Sequence, residues 1–550
     1  MNNQFSIVRY WFVVFVGFGL FLLAGCEQLP ADEEFYQIKI PPEKLRQIET
    51  LELAKAEADV NDRPDVNEAE APPEELELTL EQCRALAMEN NLDLKVQLIS
   101  PAIAAERVSE EEARFEAAFF SNIGYTKTDT PVATTLDIAG SKVDYTSTDL
   151  GVRVPLRTGG TVTFNLADRR TKTDSIFSIF NPAYNSGLSA SISQPLLRNA
   201  GNRINTYAIR IAEYERQVTD AQTKLEVIRV IAATDRVYWR LYAARKELDV
   251  RKKQYELAEI QLGQARRFVN SGERAQIEII RAEAGVAQQL EAIIIAENNL
   301  RDRERGLKRI LNKRGLEMLT PTVLIPATKP DPIPYDLAKR PLVGKAIENR
   351  MEMLELELKI AEDISTIDYT RNQALPLVTL DYTYNISGLG GARDDSFDLL
   401  FDKRFEDHRL GLQLLIPLGN EVAKSRLRQA FYQRRLRLAT RDRRRTLIEN
   451  EVLNAVDQLE ANWQRILASR QNAILAGHLF DAERRQFELD LRTSTDVFDA
   501  QTKFADAQSA EIRALAEYQI ALVDLGFATG TLLGAAKVQW KPMVPKSGIK

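Results

Sequence analysis

Residues 241–272 read LYAARKELDVRKKQYELAEIQLGQARRFVNSG, and residues 459–490 read LEANWQRILASRQNAILAGHLFDAERRQFELD. In the first stretch Leu241, Leu248, Tyr255, Leu262 and Val269 recur every seven residues. In the second, Leu459, Ile466, Ala473, Phe480 and Phe487 keep the same phase. An apolar repeat of this period makes a seam that packs against neighbouring helices as a left-handed coiled coil. The small companions Ala244, Ala258 and Ala265 let helices approach closely. No proline interrupts Arg203 to Val269, so one helix there would run on the order of 100 Å. Asn270-Ser271-Gly272 ends it, and a second helix returns to about Asn312.

Working outward, the two stretches belong to a chain written twice. Past each turn, Arg274, Glu278, Ala282, Ala287, Ala292 and Ala296 meet Arg492, Asp496, Ala500, Ala505, Ala510 and Ala514 without a gap. Upstream, Ala87-Met88-Glu89-Asn90 answers Ala346-Ile347-Glu348-Asn349, and Arg114, Ala117, Ile123 and Tyr125 answer Arg371, Ala374, Leu380 and Tyr382. Gln194-Pro195-Leu196 answers Ile416-Pro417-Leu418. Each copy therefore reads short helix, strands, long helical hairpin. The first copy spans 76–315, with strands about 118–194 and a hairpin about 203–313. A linker, 316–340, leads to the second copy at 341–532, with strands about 377–417 and a hairpin about 420–527.

The strands have two unlike faces. Val378, Leu380, Tyr382, Tyr384 and Ile386 alternate with Thr379, Asp381, Thr383, Asn385 and Ser387. Leu410, Leu412, Leu414 and Ile416 alternate with mostly polar neighbours, and Phe119 to Thr126 and Gly187 to Ser193 behave similarly. Leu150 to Val154 and Val162 to Leu166 flank Arg157-Thr158-Gly159-Gly160, a hairpin turn. Segments of about ten residues with this alternation suit a membrane barrel, lipid outside and water within. Two or three such hairpins cannot close a barrel, since about eight strands is the smallest useful number. Several chains must share one. A soluble sandwich edge is the other reading of the strands taken alone.

The ends carry different signals. Tyr10 to Leu22 is an apolar run behind Arg9, shaped like a signal-peptide core. It closes on Leu23-Ala24-Gly25-Cys26, which resembles the bacterial lipobox and makes Cys26 the expected lipidation site of a 1–26 signal peptide. Diacylglyceryl chains there would anchor without spanning, at about 0.8 kcal/mol per buried methylene. Residues 27–75 hold 15 acidic and 5 basic side chains with scattered prolines, and read as a tether. Residues 533–550 form a tail.

Composition excludes several classes. A net charge of −6 gives no basic footprint for nucleic acid. With two His and two Cys, no cluster has metal-ligand spacing and no cofactor is implied. Cys83, beside Leu80 and Ala87 on a helix face, reads as a small core residue. His408 reads as part of a polar loop and His478 as part of a long helix, neither near a nucleophile, so no enzyme is expected.

Taken together, the doubled layout, Gln194-Pro195-Leu196, Thr495-Asp496-Val497-Phe498-Asp499-Ala500 and Leu525-Gly526-Phe527-Ala528-Thr529-Gly530-Thr531-Leu532 resemble the TolC-type outer-membrane efflux family over about Leu76 to Leu532. The resemblance implies a mainly α protein with membrane β, assembled as a homotrimer around one α/β barrel channel. It implies a passive exit duct of a tripartite efflux or type I secretion system, lipid-anchored in the outer membrane with a periplasmic helical tunnel. Its partners would be a periplasmic adaptor (membrane fusion) protein and an inner-membrane transporter. By position, the resemblance implies that Glu278 accepts an Arg and that Arg492 is that Arg, while Asp496 and Asp499 supply an acidic ring at a periplasmic gate. It also implies adaptor contact at the tips Ser271, Gly272, Leu491 and Thr493. Two positions depart from the pattern: Phe487 replaces a gate Tyr, and Asp490 stands where a tip Gly is usual. A lipid-anchored periplasmic adaptor, or a coiled-coil tether without a pore, remains the alternative. The adaptor would carry one hairpin rather than two, and the tether no barrel.

Overall fold

The computed structural model describes residues 75–131, 141–489 and 491–538. Cys26, the signal peptide, nearly all of the tether, Asp490 and most of the tail lie outside them. In chain order the elements are β1 (Glu75–Leu78), α1 (Leu80–Asn90), α2 (Leu92–Ala113), β2 (Ala118–Asp129), β3 (Lys142–Pro155), β4 (Thr161–Thr173) and β5 (Ala183–Pro195). There follow α3 (Asn202–Asn205), α4 (Tyr207–Asn270), α5 (Ile277–Leu311), β6 (Val323–Pro326), α6 (Lys339–Asn349) and α7 (Met351–Gln373). The second half continues with β7 (Leu377–Gly390), α8 (Arg393–Phe401), β8 (Glu406–Leu415), α9 (Glu421–Glu488), α10 (Ser494–Ala528) and α11 (Leu532–Ala535).

The heptad seams become the two long helices, α4 with 64 residues and α9 with 68. Each returns through a partner, α5 and α10, and α10 also packs along α4. The second seam is buried throughout, at Leu459, Ile466, Ala473, Phe480 and Phe487. The first is buried at Leu241 and Leu248. Towards the tip the buried line passes to Gln254, Ala258, Gln261 and Ala265. The small companions, not Tyr255 and Leu262, therefore make the tight contact there.

The main core sits midway along α4. Val227, Ile231, Tyr238 and Leu241 pack with Leu307 and Leu311 of α5, Leu324 of β6, and Cys83 and Ala87 of α1. Full burial of an aliphatic or aromatic side chain contributes about 1.5–3 kcal/mol. Burial also pushes the Cys83 thiol up to about 12, so it stays neutral. The segment 316–340, read as a linker, contains β6, which pairs in parallel with β1 from Glu75↔Val323 to Leu78↔Pro326. Tyr238 fastens this pair by donating to Leu78 O at 3.1 Å and accepting from Thr328 N at 2.9 Å. Asp235, fully buried, meets Arg84 through Nε at 2.8 Å and Nη2 at 2.7 Å. Burial pushes its carboxyl up against the pull of Arg84. In the second copy, Arg350 holds Glu352 and Glu451, with Arg444 donating to Glu352 at 2.8 Å. Burial opposes ionisation of Glu352, yet these guanidinium groups bring its carboxyl down to about 2.

All six long strands form one antiparallel sheet in the order β2-β3-β4-β5-β7-β8. The first copy brings four strands and the second two, so the duplication is unequal here. The Gly159 turn joins β3 to β4 with φ +92°, a left-handed conformation for which glycine is suited. His408 corrects the loop assignment. β8 begins at Glu406, and Nδ1 of His408 lies 3.0 Å from the Tyr382 hydroxyl on β7. The polar start of this strand hid its period. α8 stands between β7 and β8, where the sequence pattern predicts no helix. Its Ser396 hydroxyl donates to Gly388 O at 3.0 Å, a close approach that a side chain at Gly388 would block.

Candidate functional site at the helical tips

The two hairpins turn at 271–276 and 489–493. At the first, Gly272 N–H donates to Val269 O at 3.1 Å and Glu273 N–H to Phe268 O at 3.0 Å. This is a Schellman closure, made possible by glycine at φ +80°. At the second, Leu491 N–H reaches Gln486 O at 2.9 Å, the corresponding outer bond. Ser271, Gly272, Leu491 and Thr493 are all exposed, forming a free end.

The returning helices start differently. Thr493 caps α10: its hydroxyl accepts from Asp496 N at 3.4 Å, and Asp496 Oδ2 accepts from Thr493 N at 2.9 Å and Oγ1 at 2.8 Å. This capping box satisfies backbone donors that would otherwise lack partners. The Thr493 amide and hydroxyl hold the Asp496 carboxyl below its ordinary value. α5 has Ala275 where α10 has Thr493, and no side chain caps it. Glu278, the counterpart of Asp496, therefore has no local cap to complete.

Glu278 crosses to the other hairpin instead. It is buried, with Oε2 accepting from Ser494 N, at the start of α10, at 3.0 Å. Oε1 accepts from Arg281 Nη1 at 2.6 Å. A carboxylate at a helix N-terminus is stabilised by the unsatisfied amides and the helix dipole. Burial pushes the Glu278 carboxyl up, but Ser494 and Arg281 outweigh it and leave it below its ordinary value.

Within one chain Glu278 and Arg492 are not paired. Arg492 Nε lies 3.0 Å from Gln486 Oε1 and 3.2 Å from Glu483 Oε2, on its own hairpin. A second contact between the tips is made by Arg274, the position equivalent to Arg492 in the duplication and one for which the sequence predicts no role. Its guanidinium stands 4.0 Å from the Phe487 ring centre and donates to Phe487 O and, at 3.3 Å, to Arg492 O. The duplication register was the signal that could have marked it, since Arg274 and Arg492 are equivalent positions.

Apolar contacts fix these groups. Phe487 is buried and meets Phe268 edge-on at 6.2 Å, within a cluster holding Phe480, Val497 and Ala500. Phe498 lies over Gly285, where any side chain would collide with its ring. Asp496 is half-buried and Asp499 exposed, three apart on one face of α10. Among the described residues no His, Cys, Asp and Glu group could hold a metal ion.

The chain matches a family model described as "Outer membrane efflux protein" over residues 342–531. It is 23% identical over 339 residues to the outer membrane protein TolC of Vibrio cholerae, covering 60% of this chain and 74% of that one. Among solved structures, a membrane protein from Pseudomonas aeruginosa superposes with a TM-score of 0.63 at 16% identity, covering 82% of this chain and 93% of that one. The Campylobacter jejuni CmeC outer membrane channel superposes at 0.60 with 15% identity, covering 82% and 86%. The family model lies within the second copy, whereas the structural likenesses, at 82% of the chain, reach both copies.

Proposed function

We propose that the chain is a member of the outer membrane efflux protein family, whose model matches residues 342–531, and that three copies form a passive exit duct of a tripartite efflux or type I secretion system. The observation that carries the proposal is a sheet with two unlike faces and two unpaired edges, mounted on two long helical hairpins. Unpaired backbone edges are not tolerated in hydrocarbon, so such a sheet needs other copies to close it. The duct performs no chemistry. The energy for transport comes from an inner-membrane transporter, reached through a periplasmic adaptor at the exposed tips.

In this reading Arg274, Glu278 and Phe487 hold the hairpins together in the closed duct, and Arg492 faces a neighbouring copy. Asp496 and Asp499 from three chains would place six carboxylates around the narrow end, favouring cations. Cys26 carries the acyl anchor. Planar-bilayer recording of the purified protein tests the duct. Discrete openings whose cation preference falls in Asp496→Asn with Asp499→Asn support duct and ring together. Openings with unchanged selectivity remove the ring. No insertion under conditions where a porin inserts would return the tether to the front. Incorporation of a palmitate analogue, lost in Cys26→Ala, tests the anchor.

A further inference from the structure

The sheet has more strands than connections to the helices. Four crossings join the two, at Ala118, Pro195, Leu377 and Leu415. Their order matches helix packing: α2 lies beside α4, α4 beside α7, and α7 beside α9. β3 and β4 continue into no helix, yet stand between β2 and β5. Their turn is docked at the strand-to-helix junction, where Gly201 N–H donates to Thr158 O at 2.9 Å. The Thr158 hydroxyl also donates to Gln194 Oε1 at 2.9 Å.

The extra hairpin shares both faces of the sheet. Phe119, Val152, Phe164, Ala190 and Tyr384 are successive register neighbours on one face. Arg153, Thr163, Ser191, Thr383 and Arg409 follow one another on the other. An inserted hairpin outside the membrane would have no need of this match.

We propose that β3 and β4 are part of the membrane wall, that each copy supplies six strands, and that three copies close an eighteen-stranded barrel. The closing contact joins the free edge of β2 in one copy to the free edge of β8 in the next. This rests on the trimeric-duct reading. The strands alternate in direction and are even in number, so β2 meets β8 antiparallel. Set flush from the helical end, with Ala118 beside Leu415, Ile123 falls opposite Leu410, Tyr125 opposite His408 and Lys127 opposite Glu406. Apolar side chains then meet low on the wall and opposite charges meet at its upper end. Ile123 and Leu410 are 77% and 73% exposed in the single chain, consistent with a missing neighbour.

Perimeter supports the count. Six strands about 4.8 Å apart and tilted by about 40° occupy roughly 38 Å of wall. Four packed helices at 8–10 Å spacing occupy roughly the same, whereas four strands would occupy only about 25 Å. The hairpin thus lets barrel and tunnel meet without narrowing. Eighteen strands give a wall radius of about 18 Å, in the range that leaves an aqueous lumen.

The test uses the full-length protein with Cys83→Ala in membrane vesicles. Asn122→Cys with Gly411→Cys, opposed in the flush register, is treated with a short bismaleimide, beside Arg409→Cys and Gln413→Cys as shifted partners of Asn122→Cys. A covalent ladder ending at the trimer, absent from each single variant, is expected. Separately, a membrane-impermeant maleimide should label Thr163→Cys and spare Phe164→Cys at least tenfold. Equal labelling at 163 and 164 with no ladder, in a protein that still conducts as a trimer, overturns the six-strand wall and keeps the duct. A monomer without conductance overturns both.

Discussion

The two hairpin tips descend from one pattern and do opposite things with it. At the second tip Thr493 and Asp496 complete a cap on their own helix, and Arg492 turns back to Glu483 and Gln486. At the first, Ala275 offers no cap, so Glu278 reaches Ser494 and Arg274 reaches Phe487 and Arg492. The second tip is self-contained; the first is spent on its neighbour. One position, Thr493 against Ala275, goes with the difference: Thr493 folds the Asp496 side chain back onto its own helix start, whereas Glu278, with no threonine to hold it there, extends to the other hairpin.

If this asymmetry holds the tips together, Arg274 is its largest single contributor. Arg274→Ala removes a stacked cation and two charge-assisted hydrogen bonds. The expected loss is about 2 kcal/mol, roughly 30-fold in the ratio of closed to open duct. Single-channel open probability reads it directly. An unchanged open probability would show that the contact between tips is ornamental to gating.

A finer test makes the tips alike. Ala275→Thr creates Thr-x-x-Glu at the first tip and should draw Glu278 back to cap α5. Although a cap is gained, closure should weaken as in Glu278→Gln, by about 1 kcal/mol or some fivefold in open probability. The pH dependence follows from the depressed carboxyl of Glu278. Its contribution is complete above the ordinary Glu value and fades as pH falls through the lowered one. Wild-type closure should therefore survive mild acidification and loosen below that range, while Glu278→Gln should lack this step. A step of the same size in both proteins would assign it to another carboxylate.

Thr493→Ala strikes the self-contained tip. It should cost about 1 kcal/mol of local stability at the start of α10, read as faster amide exchange there. Glu278 still supports Ser494 N–H, so gating should move less than in Glu278→Gln. A larger gating change in Thr493→Ala would reverse the ranking of the tips.

The second seam, the first seam as far as Leu248, the hairpin ends and the two-faced strands were legible because each depends on local pattern, and the duplication because its register runs without a gap. The four positions Arg274, Glu278, Arg492 and Asp496 were legible as equivalents. What was not legible was the partner each one takes. Arg274 and Arg492 are the same residue type at the same register, and nothing local distinguishes a guanidinium that crosses from one that folds back. That choice depends on Phe487 lying 4.0 Å from one of them and Glu483 lying 3.2 Å from the other. α8 and the polar start of β8 escaped for a related reason. Their stability comes from Gly388, Ser186 and Tyr382 across the sheet, not from their own pattern.

Arg492 closes the ranking. In the single chain its side chain is 46% exposed, and its ion pair with Glu483 stays within one hairpin. Exposed pairs of this kind contribute about 0–1 kcal/mol, so Arg492→Ala should leave the stability of one chain nearly unchanged. Its gating effect then isolates what the single chain lacks. If open probability shifts by less than about twofold, corresponding to under 0.5 kcal/mol, the latch lies within each copy at Arg274 and Glu278. If it rises as far as in Arg274→Ala, Arg492 reaches a group on the adjoining copy, and the self-contained tip is self-contained only until the trimer forms. A cycle combining Arg492→Ala with Asp499→Asn would then identify that group, since coupled partners lose less together than the sum of their separate losses.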